Sequence, residues 1–254
     1  MTQVKNLKDL PTLSKLGTTN SLLATENATG KSYRMSAANL KTELGSISID
    51  DVMDNVFIMC HRSSDSYPVC YRPSEWATQE AAGNVATGVL LIDGGRKLVI
   101  APQEKTSTWS TCRVVCGTAS SDRLAVQELY NGKENCAKIL TNTTLAAEGD
   151  ASAVGWCNAY ERINAGGKGL KAGAWWLPSL GELYLIFANF TKINYALSKI
   201  SGATLLSKTA YWSCTENPPT YAWVLGFNNG TQGDYTKSAE QCRVRPVSAF
   251  AMAT

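Results

Sequence analysis

The sequence features that most limit the possible folds of this chain are two turn signals, each lying between or beside strand-forming segments. The segment ATGVLLIDGGRKLVIAP (86–102) has two β-rich runs around Asp93-Gly94-Gly95, and YAWVLGF (221–227) precedes a turn at Asn229-Gly230. Such dipeptides between apolar, β-branched runs favour antiparallel hairpins. Strands are therefore predicted near both ends of the part of the chain that follows residue 50.

Helices are predicted between these strands. In WWLPSLGELYLIFANF (175–190), Ser179 and Glu182 form an S-x-x-E capping box, and a shorter helix is predicted over KINYALSKI. The segment 152–167 predicts a further helix, whose apolar face carries Ala153, Trp156, Cys157, Tyr160 and Ile163. With two helices over 175–200 in the middle, the further helix before them and antiparallel strands at both ends, the predicted fold class is α+β.

The composition excludes several classes of protein. The chain has 254 residues, 44% hydrophobic and 18% charged, which is the range of globular proteins. Its net charge of +3 is weak and dispersed, so no nucleic-acid partner is predicted. The sequence has no apolar run of about 18 residues and no charged-then-apolar leader, so neither membrane insertion nor a signal peptide is expected. These features predict a soluble protein made in a cytosol.

Residues 1–50 differ in composition from the rest. They contain no Trp or Cys and one aromatic residue, Tyr33, although leucines recur. A helix is predicted near 36–44, with Ser36 as its N-cap and Gly45 as its end. So short a segment buries little apolar surface alone, which favours association with copies of itself over the alternative of a floppy leader.

The eight cysteines and one histidine give no recognisable metal or catalytic motif. Only Cys112 and Cys116 lie close in sequence, as C-x3-C, and no second close pair completes a four-ligand site. Reduced, mostly buried thiols are therefore expected. Cys214 and Cys242 lie in adjacent elements, and a disulfide, a reactive pair and two unrelated residues all remain open. His61 follows an apolar run and is interpreted as structural.

The acidic residues suggest no acid–base pair. Glu182 has a structural task as a cap, and Glu216 beside Asn217 is the candidate ligand for a structural calcium ion. Nothing nearby supplies the further oxygens of a calcium loop. No cofactor is therefore predicted, with structural calcium left open.

A set of motifs in fixed order carries a resemblance to a known family. LPS-x-GEL, YWS-x-TE, AW, NNG and VRPVSAF, between residues 150 and 250, resemble the C-type-lectin-fold variable proteins of diversity-generating retroelements. Residues 1–50 resemble attachment segments of phage tail fibres. The resemblance implies a C-type-lectin-like ligand-binding domain over 51–254, preceded by a small trimerising segment over 1–50. It also implies a homotrimeric receptor-binding tip of a phage or prophage tail fibre, made in the host cytoplasm and carried on the virion.

The resemblance further divides the variable region, about 211–242, and its flank into frame and ligand-facing positions. Adenine-specific copying errors in such systems change a set of surface residues and leave the frame intact. The implied frame residues are Trp212, Trp223, Phe227, Arg243, Val244, Arg245 and Pro246. The implied ligand-binding residues are Cys214, Asn217, Pro218, Thr220, Tyr221, Val224, Gly226, Asn228, Thr231, Gly233, Asp234, Tyr235, Thr236 and Ser238. Tyr221 and Tyr235 are the expected anchors.

From this resemblance we expect a binding protein without enzymatic activity. Its expected partner is a bacterial cell-surface receptor, either a protein or a polysaccharide. Three alternatives stay open: a bacterial surface adhesin with the same domain, an enzyme of the formylglycine-generating type that uses Cys214 and Cys242, and a purely structural fibre subunit. The sugar-binding tripeptides of true C-type lectins are absent, so carbohydrate binding does not follow from the fold.

Overall fold

A computed structural model of the protein describes residues 21–25, 32–36 and 55–250. The chain divides into two compact units, residues 1–54 and 55–254. In the first unit, β1 (Ser21–Thr25) pairs antiparallel with β2 (Ser32–Ser36). The helix predicted near 36–44 lies outside the described residues.

The second unit has an α+β fold, as predicted. Its strands are β3 (Val56–His61), β4 (Pro68–Tyr71), β5 (Ala86–Asp93), β6 (Arg96–Ile100), β7 (Lys105–Ser107), β8 (Arg162–Ile163), β9 (Gly169–Leu170), β10 (Trp175–Trp176), β11 (Ala210–Asn217), β12 (Tyr221–Gly226), β13 (Gln232–Thr236), β14 (Cys242–Val244) and β15 (Val247–Ala249). Its α-helices are α1 (Trp76–Ala81), α2 (Gly132–Ile139), α3 (Thr143–Glu148), α4 (Ala153–Ala159), α5 (Leu180–Ala188) and α6 (Phe190–Leu197). The prediction of two helices in the middle and one before them was therefore incomplete, because residues 55–250 contain six α-helices. None of the helices in the described residues is long and apolar enough to cross a membrane.

Two sheets organise this unit. One has six strands in the order β10-β15-β6-β5-β3-β4, and the other has five in the order β13-β12-β11-β14-β7. The C-terminal segment enters both, since β14 lies between β11 and β7 while β15 lies between β10 and β6. The β11–β14 pairing is parallel, whereas the other strand pairs of these two sheets are antiparallel.

Two local signals produced the elements that they predicted. Asp93 pairs with Arg96 across β5 and β6, with Gly94 and Gly95 between them at φ +54° and +78°. Glycine adopts this left-handed conformation without steric cost, which is why the two-residue turn forms here. At the start of α5, the backbone N–H of Ser179 donates to the Glu182 carboxylate at 2.8 Å, so the capping box is also confirmed.

The helix predicted over 152–167 is too long. Helix α4 ends at Ala159, and Tyr160 has the extended backbone conformation φ −63°, ψ +140°. Its ring packs edge-on against Trp175, with centroids 5.0 Å apart, which directs the chain away from the helix axis. Residues 162–163 then form β8, and Ile163 is partly exposed instead of continuing a buried helical face.

Three tryptophans connect the five-stranded sheet to the long loop that follows β7. The indole N–H of Trp109 donates to the Ser213 carbonyl at 2.9 Å, and that of Trp223 donates to the Ser120 carbonyl at 2.9 Å. Trp212 donates from β11 to the Ser107 carbonyl at 3.0 Å. All three side chains are buried. Residues 107–120 are therefore held against strands β11 and β12 by both packing and hydrogen bonds.

Candidate functional site

Alternate residues of three neighbouring strands form one open face of the five-stranded sheet. Val224 pairs with Gly233 across β12 and β13, and Ala210 pairs with Gly226 across β11 and β12. Directly paired residues share a face, and Tyr235 lies two residues beyond Gly233 on the same side. We term this surface, defined by Ala210, Val224, Gly226, Gly233 and Tyr235, the cavity face.

An open cavity of about 330 Å³ lies on the cavity face. It is also lined by Lys208, Thr209 and Asn229, which belong to the segment before β11 and to the β12–β13 turn. The structure brings six of the predicted ligand-facing residues together around it: Val224, Gly226, Asn228, Thr231, Gly233 and Tyr235. Val224 is only 2% exposed and forms the floor, whereas Asn228 and Thr231 are exposed at the rim.

A second cavity of about 280 Å³ adjoins the first and shares Thr209, Ala210 and Tyr235 with it. Tyr235 is 42% exposed, and its ring meets Trp212 edge-on at a centroid distance of 6.3 Å. Arg243, predicted as frame, lines this second cavity with a half-exposed side chain. The second cavity is therefore lined by both an aromatic ring and a cation.

The cavity face can accept larger side chains at a glycine position. A Cβ atom built on Gly233 would meet Val224 Cγ2 at 3.6 Å and Tyr235 Cε1 at 3.9 Å, which are ordinary van der Waals distances. On Gly226 it would meet Asn228 Oδ1 at 2.8 Å, at the end of a side chain that can rotate away. A Cβ atom at Gly233 therefore needs no movement of the sheet, whereas one at Gly226 needs the Asn228 side chain to rotate.

Three other predicted residues lie on the opposite side of the same strands. Trp223 pairs with Asp234, and Tyr221 pairs with Thr236. Since strand residues alternate between faces, Tyr221, Asp234 and Thr236 do not share the cavity face with Tyr235. The predicted ligand-facing residues therefore divide into groups on different surfaces.

A second group of predicted residues surrounds the β11–β12 turn. Pro218 and Tyr221 are exposed there, and Asn217 and Thr220 are half-buried. Ser238 joins them from the β13–β14 loop, because the backbone N–H of its neighbour Lys237 donates to the Thr220 carbonyl at 3.0 Å. This group lies where two loops meet.

A fully buried ion pair supports that turn. The Lys237 ammonium contacts the Glu216 carboxylate, and both side chains are 0% exposed. Lys237 Nζ also donates to the carbonyls of Val114 at 2.9 Å and Pro219 at 3.1 Å, and it lies 4.8 Å from the centre of the Trp109 ring. One side chain therefore joins three segments: residues 109–117, the β11–β12 turn and the β13–β14 loop.

The Glu216 carboxylate is committed to donors within the protein. Besides Lys237, it accepts hydrogen bonds from the backbone N–H of Cys116 at 3.0 Å and from that of Gly117. Glu216 is therefore fully buried and already paired with a cation, whereas a calcium ligand needs a free carboxylate oxygen and further oxygens around it. In the part of the chain that the structure describes, no three His, Cys, Asp or Glu side chains lie close enough to hold a metal ion.

A second buried ion pair joins the segment that follows β14 to the residue that precedes β7. Arg245 Nη2 lies 2.6 Å from Glu104 Oε2, and both side chains are 1% exposed. The guanidinium also donates to the carbonyls of Ala101 and Thr204, and the Tyr211 hydroxyl donates to Glu104 at 2.8 Å. Burial and the neighbouring Glu104 charge raise the pKa of Tyr211 to about 12. The hydroxyl therefore remains a donor at physiological pH.

The assignment of Cys214 to the ligand-facing set is wrong for this structure. Its side chain is 0% exposed, with the sulfur 3.3 Å from Asn135 Nδ2 on helix α2. Asn135 also donates to the Cys214 carbonyl at 2.9 Å, so the residue is fixed on the side of the sheet that packs against α2. Cys242 instead lines the second cavity, and both thiols are free.

His61 has a partner of its own in the six-stranded sheet. Its Nδ1 atom lies 2.8 Å from the Thr87 hydroxyl on β5. Burial lowers the pKa of the ring, so the neutral form is favoured. Neither cavity of the five-stranded sheet includes His61 among its lining residues.

The comparisons with known proteins assign no family. No protein-family model matches the chain, and no curated protein matches it. One similar solved structure is a fimbrial protein from Bacteroides ovatus, with 17% sequence identity and a TM-score of 0.43. The similarity covers 61% of this chain and 36% of that protein, so the matched region is little more than a third of its length.

Sequence reasoning missed Lys237 and the cavity role of Arg243. Lys237 lies between Thr236 and Ser238, two residues expected to vary, and nothing in its local sequence distinguishes it from a solvated lysine. Its partner Glu216 is 21 residues away, so the pairing depends on how β11, β12 and β13 are arranged. A period-2 count along β12 and β13 was the available signal for dividing the ligand-facing set into two faces.

Proposed function

We propose that the protein is the receptor-binding tip of a phage or prophage tail fibre. Its ligand-binding face is hypervariable and is displayed on a C-type-lectin-like fold. The observation that carries the proposal is that six residues expected to vary line one open cavity on the five-stranded sheet. The resemblance of the C-terminal motifs gives the proposal its biological setting.

The architecture suits a surface whose residues are exchanged while the scaffold stays constant. Trp212 and Trp223 are 0% and 1% exposed and are hydrogen-bonded through their indole groups. Apart from the buried Val224, the cavity residues are partly or fully exposed on strands and a turn that this frame supports, and exposed residues on a packed scaffold change at small cost in stability. Binding to such a platform also loses little conformational entropy. Tyr235 is the expected anchor, since it offers a large area with two rotatable bonds.

The proposed partner is a bacterial cell-surface receptor, either a protein or a polysaccharide, and binding requires no cofactor. Residues 1–50 are proposed to assemble the chain into a homotrimer. Three copies on one fibre convert weak single contacts into strong attachment, because the second and third binding events become intramolecular. Light scattering of the purified chain measures this state directly: a trimer is expected, and a monomer contradicts this part of the proposal.

Sequencing of the gene's 3′ end across a natural population tests the diversified face. Replacements are expected at the cavity positions, with Trp212 and Trp223 unchanged and a near-copy of the region rich in adenines in the same locus. Because Cys214 is buried against α2, we now expect it to vary far less than Tyr235. Uniform conservation over 211–242 contradicts diversification.

Binding to cells tests the face independently of its variation. The labelled full chain is screened against bacterial strains, and the strain that it binds is used to compare two variants. Tyr235→Ala is expected to weaken binding by about tenfold or more, as for an anchor residue. Tyr67→Ala is the matched control, since Tyr67 is 37% exposed and lies between β3 and β4. Equal binding by both variants excludes the cavity face as the receptor site.

A further inference from the structure

Two cysteines of the loop after β7 lie in contact. Cys112 and Cys116 bracket the sequence Arg113-Val114-Val115, and their sulfur atoms are 3.0 Å apart. A disulfide bond is about 2.05 Å long, so an approach of roughly 1 Å separates the two thiols from bonding distance. Small side-chain rotations supply a movement of that size.

The backbone between the two thiols is already held in a closed shape. The Cys112 N–H donates to the Ser110 hydroxyl at 2.9 Å, and the Cys116 N–H donates to the Glu216 carboxylate at 3.0 Å. The Val114 carbonyl points inward to Lys237 Nζ at 2.9 Å. The two ends and the middle of the loop are therefore fixed by separate hydrogen bonds.

The loop is also open to a small reagent. The side chains of Val114 and Val115 are 55% and 42% exposed, and Cys116 is half-buried. Another pair of thiols, Cys136 and Cys214, is hydrogen-bonded, but these residues are only 3% and 0% exposed. A reagent in solvent therefore reaches Cys116 without unfolding the domain.

We propose that Cys112 and Cys116 are an oxidation site, at which an intramolecular disulfide closes the loop in oxidising surroundings. With a small-molecule disulfide as oxidant, the Cys116 thiolate attacks one of its sulfurs, breaks its S–S bond and releases one small thiolate. The Cys112 thiolate then attacks the sulfur of Cys116 in this mixed disulfide and releases the second. The two cysteines lose two protons and two electrons, and the oxidant leaves as two thiols.

A disulfide between Cys112 and Cys116 would stabilise the surroundings of the buried ion pair between Lys237 and Glu216. The loop supplies the Val114 carbonyl to Lys237 and the Cys116 N–H to Glu216, so a covalent ring holds both groups in place. The exchange is slow at neutral pH, because burial, the Cys112 hydrogen bond and the Glu216 charge raise the pKa of Cys116 to about 12. Its rate rises with pH, since the thiolate is the attacking species. None of this depends on the proposed function.

Peptide mapping of the oxidised full chain tests the site. The protein is incubated with oxidised glutathione at about pH 8.5, where exchange is faster, and its remaining thiols are alkylated after denaturation. Trypsin cuts after Arg113, so a Cys112–Cys116 bond joins the peptides 106–113 and 114–123, which are otherwise separate. The joined pair is expected in wild type and in the control Cys70→Ser, and is expected to be absent from Cys112→Ser and Cys116→Ser. Alkylation of both cysteines, stable glutathione adducts on them or bonds to other cysteines overturn the proposal.

Thermal unfolding tests whether the disulfide reinforces the loop. Closing so short a loop is expected to raise the Tm of the oxidised protein by roughly 4 °C or more over the reduced protein. Cys116→Ser is expected to show no dependence on the oxidant. A joined peptide pair without any rise in Tm refutes the inference that the disulfide reinforces the loop.

Discussion

Replacing Lys237 with methionine removes one partner of the buried ion pair while keeping an unbranched side chain of similar length. The Glu216 carboxylate then remains in the interior without a counter-charge, because both side chains are 0% exposed in the native protein. The carbonyls of Val114 and Pro219 lose the same donor. Only the backbone N–H groups of Cys116 and Gly117 still bind the carboxylate.

The expected cost is large relative to the stability of a domain. Removing one member of a buried pair costs about 3–5 kcal/mol, because the remaining charge is desolvated without compensation. Total free energies of unfolding are typically about 5–15 kcal/mol, so Lys237→Met should lose a substantial fraction of the total. For a unit of this size the Tm should fall by roughly 6 °C or more.

Urea unfolding followed by tryptophan fluorescence measures this cost. Lys133→Met is the matched control, since Lys133 is exposed on helix α2, and a change within about 0.5 kcal/mol is expected there. The double variant Lys237→Met/Glu216→Gln removes the stranded charge and should be more stable than Lys237→Met alone. A loss below about 1 kcal/mol in the single variant, or no recovery in the double variant, refutes the argument from an uncompensated charge.

Three further predictions concern other parts of the domain. Gly233→Ala should change the free energy of unfolding by less than about 1 kcal/mol. Gly181→Ala should destabilise the domain strongly, because its Cβ would lie 2.5 Å from the Leu129 carbonyl oxygen. Equal urea midpoints for the two variants would contradict the cavity-face geometry. Because burial lowers the pKa of His61 below its usual 6.5, the neutral ring stabilises the fold above that pH, and stability should fall as the pH drops below 6.5. Because the chain has no other histidine, His61→Gln should flatten the curve of Tm against pH below pH 6.5. An unchanged slope would show that other groups cause the pH dependence. Trp223→Ala should lower the free energy of unfolding by about 3–5 kcal/mol, as measured with urea. A loss under about 1 kcal/mol would contradict the assignment of Trp223 to the frame residues.

The sequence predicted those elements whose signals are local. The turn at Gly94-Gly95 and the capping box of Ser179 and Glu182 depend on residues within a few positions of one another, so chain geometry alone determines them. The helix over 152–167 failed because its apolar spacing continues by coincidence beyond Ala159. There the packing of Tyr160 on Trp175, which is distant in sequence, overrides the local preference.

The site was less predictable because it depends on pairing between strands. Within β11 the register shifts between Trp212 and Glu216, so simple alternation does not say which residues of this segment are exposed. Cys214 lies in that irregular stretch and is buried, contrary to expectation. The partners of Lys237 come from two separate segments, the loop after β7 and the end of β11 with its following turn, and no pattern in a single sequence brings them together.

The crossing of the C-terminal segment through both sheets has a consequence for any library of variants of this gene. Strands β14 and β15, residues 242–249, are interior strands of their respective sheets. A polypeptide terminated by a stop codon anywhere in 218–241 lacks both, which leaves β6, β7, β10 and β11 with unpaired edges. Such truncated products cannot complete either sheet. A variant of this gene therefore yields the complete fold only if its reading frame continues through β15.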